Sequence, residues 1–308
     1  MYYSISQEGW FELKFTVIIP TRNRKELLLQ LLENIALCIN SRNIQVIVVD
    51  SSDEAILYSE SYPFSFQYIH TRIRSAARQR NIGLTEVQNT SERNCDFIAF
   101  LDDDTRIDPD YFANIEQGFL MFPEAVGISG VTTSFIGPNQ RLVKRIFGIY
   151  GEPGKISRGG VNVPIESKSS EKRFFETNWL IGCSVWRYES IKGEKFQDDF
   201  EGQSLFEDVI FSFQQSKHGK LYVMNSVKLT HLQSPIERPN SFKHSFAWVK
   251  NRYRLFELFE NDFQKINFWI ANFGKFCNEC VGVLRTPSLD KLKSIGGLIV
   301  GSLAVIFR

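Results

Sequence analysis

Apolar runs and helical periodicities alternate through the first two-thirds of the chain. Residues 15–20 (FTVIIP) form a β-branched apolar run closed by Pro20, and residues 44–50 (IQVIVVD) form a second. Both have the continuous apolar character of strands covered on two faces. Between them Leu27, Leu28, Leu31, Leu32 and Ile35 recur at helical spacing, which predicts a helix over 25–39. A short strand over 66–70, a helix over 75–84, a strand over 97–101 and a helix over about 110–119 continue the alternation. Further on, the pattern predicts a strand over 178–186, a helix over 205–217 and one or two strands over 221–231. Residues 127–160 are richer in Gly and Pro, and 161–172 are polar, with Ser167, Ser169 and Ser170, as in a mobile loop beside a site. From about Arg238 the chain reads as helical to its end, with many aromatics and no strand signal. Alternating strands and helices call for right-handed crossovers, hence an α/β fold with a mostly parallel sheet flanked by helices.

The balance of charge adds a partner to this picture. The 308 residues carry a net charge of +1, with 43% hydrophobic and 23% charged residues, an ordinary globular composition with no sign of a nucleic-acid binder. The charge is uneven, however: residues 236–308 hold 11 Lys/Arg against 6 Asp/Glu, so the remainder is acidic. In that basic segment Phe242, Phe246, Trp248, Val249, Tyr253, Leu255, Phe256 and Phe259 alternate with Lys243, Lys250, Arg252 and Arg254. Such a pattern suits an interfacial helix on anionic lipid, or equally a helix packed on the body; spacing does not separate the two. No stretch reaches the ~20 apolar residues of a spanning helix. Residues 1–15 lack the apolar core of a signal peptide. Cys277 and Cys280 form a C-x-x-C with no second pair or neighbouring His, which reads as small core residues rather than a zinc site. Together these readings imply a reducing, cytoplasmic compartment.

The chemistry concentrates where strands end. Asp102, Asp103 and Asp104 follow the run 97–101 directly, at the carboxyl end of a strand, where open α/β sheets place ligands. Like charges so close need protons or a cation, and a hard divalent ion such as Mn2+ or Mg2+, shared with a phosphorylated substrate, meets that need. Asp50 ends the strand 44–50 on the same edge and either accepts hydrogen bonds from a base or ribose or caps the next helix. The stretch from Arg72 to Leu84 joins Arg72, Arg74, Arg78 and Arg80 to the small Ser75, Ala76 and Ala77. A helix start of that kind attracts a diphosphate. Glu207 and Asp208 open a helix, where an ionised Asp serves as a general base. His231 ends a strand and is either a core histidine or a further metal ligand.

In order and spacing these segments resemble glycosyltransferase family 2, the inverting enzymes of GT-A fold, and among them rhamnosyltransferase-like enzymes of bacterial surface polysaccharides. The matches are Val17 to Arg24 (VIIPTRNR), Val48 to Ser52, Ala77 to Leu84, Phe100 to Asp104, Gly182 to Ser184 and Phe206 to Val209. The resemblance implies a Rossmann-like catalytic region over 1–235, with nucleotide-sugar binding over about 15–131 and the acceptor side over 132–235, continued by a helical region over 236–308. It implies that Pro20, Thr21, Arg22, Asp50, Arg80, Asp102 and Asp103 bind the nucleotide sugar. Asp104, Asp102 and His231 hold the metal, with Asp104 its direct ligand. Asp208 is the base, and Gly182, Cys183 and Glu207 lie on the acceptor side. The implied partners are a nucleotide diphosphate sugar, a glycan or lipid-linked acceptor and the inner face of the membrane. A sugar-nucleotide nucleotidyltransferase is the second reading, but it expects a Gly-rich loop where Thr21-Arg22-Asn23-Arg24 stands. A non-catalytic sugar- or metal-binding module is the third; an EF-hand counted from Asp102 fails at Ile107 and Ala113. Dehydrogenase and P-loop glycine motifs are missing.

Overall fold

A computed structural model describes residues 14–39, 43–56, 61–89, 95–132, 141–165, 174–200, 204–232 and 240–308. Most of the polar half of the loop expected over 161–172, and the expected boundary near residue 235, lie outside the described residues. In chain order the elements are β1 (Phe15–Thr21), α1 (Lys25–Ala36), β2 (Ile44–Asp50), β3 (Ser65–His70), α2 (Ala76–Asn89), β4 (Phe97–Phe100) and β5 (Thr105–Ile107). Next come α3 (Tyr111–Met121), β6 (Ala125–Thr132), α4 (Arg141–Ile146), β7 (Phe174–Thr177), β8 (Ser184–Arg187) and α5 (Tyr188–Ile191). The chain then forms α6 (Glu207–Gln215), β9 (Lys220–His231), α7 (Ser241–Leu258), α8 (Lys265–Arg285) and α9 (Leu289–Ile306).

One sheet in the order β3-β2-β1-β4-β8-β6-β9-β5 runs through the molecule, with β7 also paired to β9. Its first half is parallel, as the apolar runs predict: β2 with β3, β1 with β2, and β1 with β4. Beyond β4 the sheet is mixed, because β8 runs antiparallel to β4 and β6, and β5 and β7 run antiparallel to β9. Both faces of the parallel half are covered. Val17, Ile19, Val46 and Val48 pack with α1 and α3, while Ile18, Ile47 and Val49 pack on the opposite face with α2, Trp186 and Phe211. Strict alternation within a fully apolar strand is what a two-sided burial requires.

The expected strand over 178–186 resolves into β8 alone, preceded by a loop that carries Trp179 and Gly182. The Gly-rich segment begins as β6, whose small residues let it lie between β8 and β9. A third core joins α6 to the C-terminal helices through Val209, Ile210, Phe213, Val249, Leu255, Phe256 and Phe268. Helix α7 is therefore a packed helix: its inner face is buried against α6, and α9 lies along it. A Cβ on Gly297 would fall 2.2 Å from the Phe242 carbonyl oxygen, so only glycine permits that approach.

Candidate active site

The ends of β1, β2 and β4 deliver their polar residues to one edge, as parallel pairing demands. The pairing of β5 with β9 sets Thr105 opposite His231, which brings the histidine onto the carboxylate triplet from the far side of the sheet. The His231 imidazole lies between two of the acids, with Nε2 3.4 Å from Asp102 Oδ2 and Nδ1 3.2 Å from Asp104 Oδ1. Asp103 is buried, accepting from the Thr21 hydroxyl at 2.7 Å and from Arg24 at 2.9 Å. Arg24 also lies 3.6 Å from Asp104. Of the three, Asp102 is the open one, with its side chain 31% exposed against 4% for Asp104.

Arg80 knits the triplet to α6. Its guanidinium is 2% exposed and donates to Asp102 at 2.6 Å and to Glu207. Burial works to strip its proton, but Glu207, Asp102 and Asp208 outweigh that and hold it charged. Burial likewise works to raise the Asp102 carboxyl, yet Arg80 and then His231 keep it well below the usual range. Glu207 is pushed up by its burial against the pull of Arg80. Burial pushes Asp208 up to about 6 and Asp103 to about 6. Five carboxylates thus face two guanidiniums at the centre, and three of the five are driven toward protonation. The cluster is short of positive charge.

Local backbone fixes Glu207 and Asp208. Ser204 (φ 52°) and Phe206 (φ 77°) adopt the left-handed conformation just before α6, at a cost of ~1–3 kcal/mol each. The Ser204 hydroxyl accepts from the Ala77 amide at 3.2 Å, and Ser75 donates to the Phe200 carbonyl at 2.6 Å, so this turn is tied to the start of α2. Gly182 leaves room for the Arg80–Asp102 pair, since a Cβ there would lie 3.1 Å from Arg80 Nη2.

These groups line a cleft of about 940 Å3 with Pro20, Thr21, Arg22, Arg80, Asp102, Asp103, Asp104, Gly182, Cys183, Glu207, Asp208 and His231 all on its wall. Asp50, expected to contact the nucleoside, is not among the lining residues of this cleft. It is fully buried, and its oxygens accept from the Ser52 amide at 2.7 Å, the Ser52 hydroxyl at 2.5 Å and Tyr68 at 2.7 Å. Its neighbour Ser51 lines the cleft instead. Arg80 is on the cleft wall, and its two terminal nitrogens donate to Glu207 and Asp102. Of the other arginines before and in α2, Arg74 pairs with Asp53 at 2.8 Å and Arg78 donates to the Asp198 carbonyl at 2.7 Å.

Cys183, expected on the acceptor side, lies beneath the triplet. Its sulfur accepts from the Asp102 amide at 3.4 Å, lies 3.2 Å from the Thr105 hydroxyl, and clusters with Asp102 and His231 within 4.8 Å. Burial and the Asp102 charge push its thiol upward, which favours the neutral form. The oxygen and imidazole donors of Asp102, Asp104 and His231 that remain suit Mn2+ or Mg2+, and such an ion would make good the charge deficit.

Three contributors escaped the sequence reading. Arg24 stands at the end of the VIIPTRNR match, with no role implied for it. Gln79 donates to the Thr21 and Val49 carbonyls at 2.9 and 2.6 Å, stitching the ends of β1 and β2. Trp248 and other residues of α7, α8 and α9 form a whole wall of the cleft, which no local signal announces.

Comparison with known proteins agrees with this geometry. The model of the family described as Glycosyl transferase family 2 matches residues 16–169, half of the chain. Among solved structures, S. aureus TarS 1-349 in complex with UDP-GlcNAc aligns with TM-score 0.55 and 15% identity, over 95% of this chain and 82% of that one. S. aureus TarS 1-349 without ligand gives 0.53 and 14%, over 94% and 81%. GalNAc-T7 with UDP, GalNAc and Mn2+ gives 0.55 and 12%, over 80% of this chain and 48% of that one. At these identities the likeness concerns the fold, which is GT-A. No curated protein matches. The chain belongs to glycosyl transferase family 2 and is a glycosyltransferase.

Proposed function

We propose that this enzyme inverts configuration while moving one sugar, a hexose or deoxyhexose, from a nucleotide diphosphate sugar to a hydroxyl of a glycan or lipid-linked acceptor, in the synthesis of a bacterial surface polysaccharide. The observation that carries the reading is the convergence of Asp102, Asp104, His231 and Asp208 on one cleft. Asp102, Asp104 and His231 would hold Mn2+ or Mg2+, which supplies Lewis-acid stabilisation of the departing diphosphate. Thr21, Arg22 and Ser51 line the donor end of the cleft. Asp208 takes the proton of the acceptor hydroxyl while that oxygen bonds to the anomeric carbon. The bond from that carbon to the diphosphate oxygen breaks, and its electron pair leaves with the diphosphate. Glu207 stays with Arg80, so the buried pair fixes the neighbouring base rather than sharing its task.

The basic C-terminal region gives the enzyme its place. Leu284 is 83% exposed and Phe307 82%, and Ile266, Phe273, Leu289 and Leu292 are also exposed on α8 and α9. With the surplus of Lys and Arg in this region, that surface suits the headgroup layer of an anionic membrane on its cytoplasmic face. No helix among the described residues is long and apolar enough to cross a membrane. This moves the proposed membrane face from the aromatics of α7, which pack inward, to α8 and α9.

The test is direct. The enzyme is incubated with UDP-, GDP- and dTDP-sugars, with and without Mn2+, and release of the nucleoside diphosphate and the anomeric form of the product are monitored by NMR. Metal-dependent release with inversion supports the reading, and a retained configuration or no release from any donor refutes it.

A further inference from the structure

The wall of the cleft opposite the sheet edge comes from α7, α8 and α9, outside the span that the family model matches. Its aromatic member is Trp248, half-buried on α7. The indole packs against a buried guanidinium. The Arg252 guanidinium sits 4.0 Å from its ring centroid and 4.5 Å from that of Phe268, so the cation is packed between two rings. Arg252 is itself fully buried and donates to the Gly159 carbonyl and to Asn272, which ties α7 to α8 and to the loop before β7. Around the indole the wall is polar: the Ser245 and Ser294 hydroxyls are 2.8 Å apart across α7 and α9, and Lys275 pairs with Glu279 at 2.6 Å. One aromatic surface among hydroxyls and charged groups is the makeup of a site for a ligand with one apolar face and a polar rim.

A pyranose ring has that form, with axial C–H groups on one face and hydroxyls at its edge. We propose that Trp248 is the platform of an acceptor subsite, stacking on the C–H face of a pyranoside unit of the acceptor, with Arg252 as the positioning residue that holds the indole flat to the cleft. The proposal rests on reading the cleft as a glycosyl-transfer site, and it assigns acceptor choice to the C-terminal helices.

The test uses the full chain with 15N-labelled tryptophan, whose five indole N–H signals are few enough to resolve. Trp248→Phe identifies the Trp248 signal by its loss. Methyl glycosides of glucose, galactose, N-acetylglucosamine and rhamnose are titrated to decimolar concentration with UDP and Mn2+ present. The expected result is a saturable shift of the Trp248 signal with at least one glycoside. Trp248→Leu should weaken binding about tenfold, equivalent to ~1.4 kcal/mol, and Trp248→Phe should recover part of it, as a stacking role requires. A Trp248 signal that no glycoside moves, a response confined to another tryptophan, or equal affinity in Trp248→Leu overturns the proposal. If Trp248→Leu does not fold, the wild-type titration decides alone. Failure of this subsite leaves nucleoside diphosphate release intact, whereas failure of the transferase reading abolishes that release for every donor.

Discussion

The two walls of the cleft are built by opposite means. The sheet edge holds its site with charge: the partly buried Arg24 and the buried Arg80 bind together Asp102, Asp103, Asp104 and Glu207. The helical wall holds its shape with apolar packing, through the core of Phe213, Val249, Leu255, Phe256 and Phe268. Its one buried guanidinium, Arg252, is packed between rings, and burial pushes it well below its usual pKa. Charge that is desolvated and pre-oriented suits the diphosphate chemistry proposed above, whereas a packed wall suits the proposed acceptor subsite. The difference teaches that the two walls rest on separate physical supports, so the proposed catalytic and acceptor roles should fail separately.

The largest effects come from removing one support at a time. Arg80→Ala leaves the buried Glu207 and the half-buried Asp102 without their cation and should cost ~3–5 kcal/mol in urea unfolding at pH 7.5. Phe256→Ala should cost a similar ~3–5 kcal/mol by opening a cavity. The pH dependence separates them. Protonation of the orphaned carboxylates relieves the Arg80→Ala penalty as pH falls toward 5, while the cavity in Phe256→Ala is indifferent to pH. Equal pH dependence in the two variants would erase the contrast.

Next in size is Asp208→Asn, expected to reduce turnover by ~100-fold or more with donor binding retained. Because burial raises Asp208 to about 6, the wild-type rate should fall as pH drops through that value and the base gains its proton. The same carboxyl binds protons more tightly folded than unfolded, so the stability it lends is present below its unfolded pKa and lost as pH rises through about 6. Asp208→Asn should therefore melt higher than wild type at pH 7.5, and a lower melting temperature would show that the carboxylate is not desolvated. The smallest effect on the fold is expected from Leu284→Glu with Phe307→Glu, within ~0.5 kcal/mol at these exposed positions. Sedimentation with phosphatidylglycerol vesicles at low salt should nevertheless be lost, and unchanged sedimentation would remove the membrane proposal.

How much of this was legible depends on the range of the forces involved. The strands β1, β2 and β4 and the helices α1, α2 and α6 follow from local periodicity. The sheet edge was readable because parallel strands carry Asp102 and Thr21 to one side wherever the apolar run stops. The mixed half was not, since Gly127 and Gly130 interrupt the apolar pattern of β6, β7 is only four residues long, and both depend on pairing with the distant β9. The burial of Asp50 was not readable, because a strand-end acid looks the same in sequence whether it faces a cleft or its own Ser52 and Tyr68. Arg24 and Gln79 escaped for a related reason: their side-chain partners are between 30 and 80 residues away. Trp248 had the spacing of a core aromatic, and only the docking of α7 against α6 and α9 turns it to the cleft.

The central claim is that carboxylates from separate segments meet around one cation that binds a pyrophosphate. It is tested most directly by the melting temperature of the wild type and of Asp104→Ala with UDP, GDP and dTDP, each with and without Mn2+. A ligand that binds the folded state alone raises that temperature. The account predicts that at least one nucleotide stabilises the wild type only when Mn2+ is present, and that Asp104→Ala abolishes the effect. A nucleotide response identical with and without the metal, or identical in the two proteins, would contradict it.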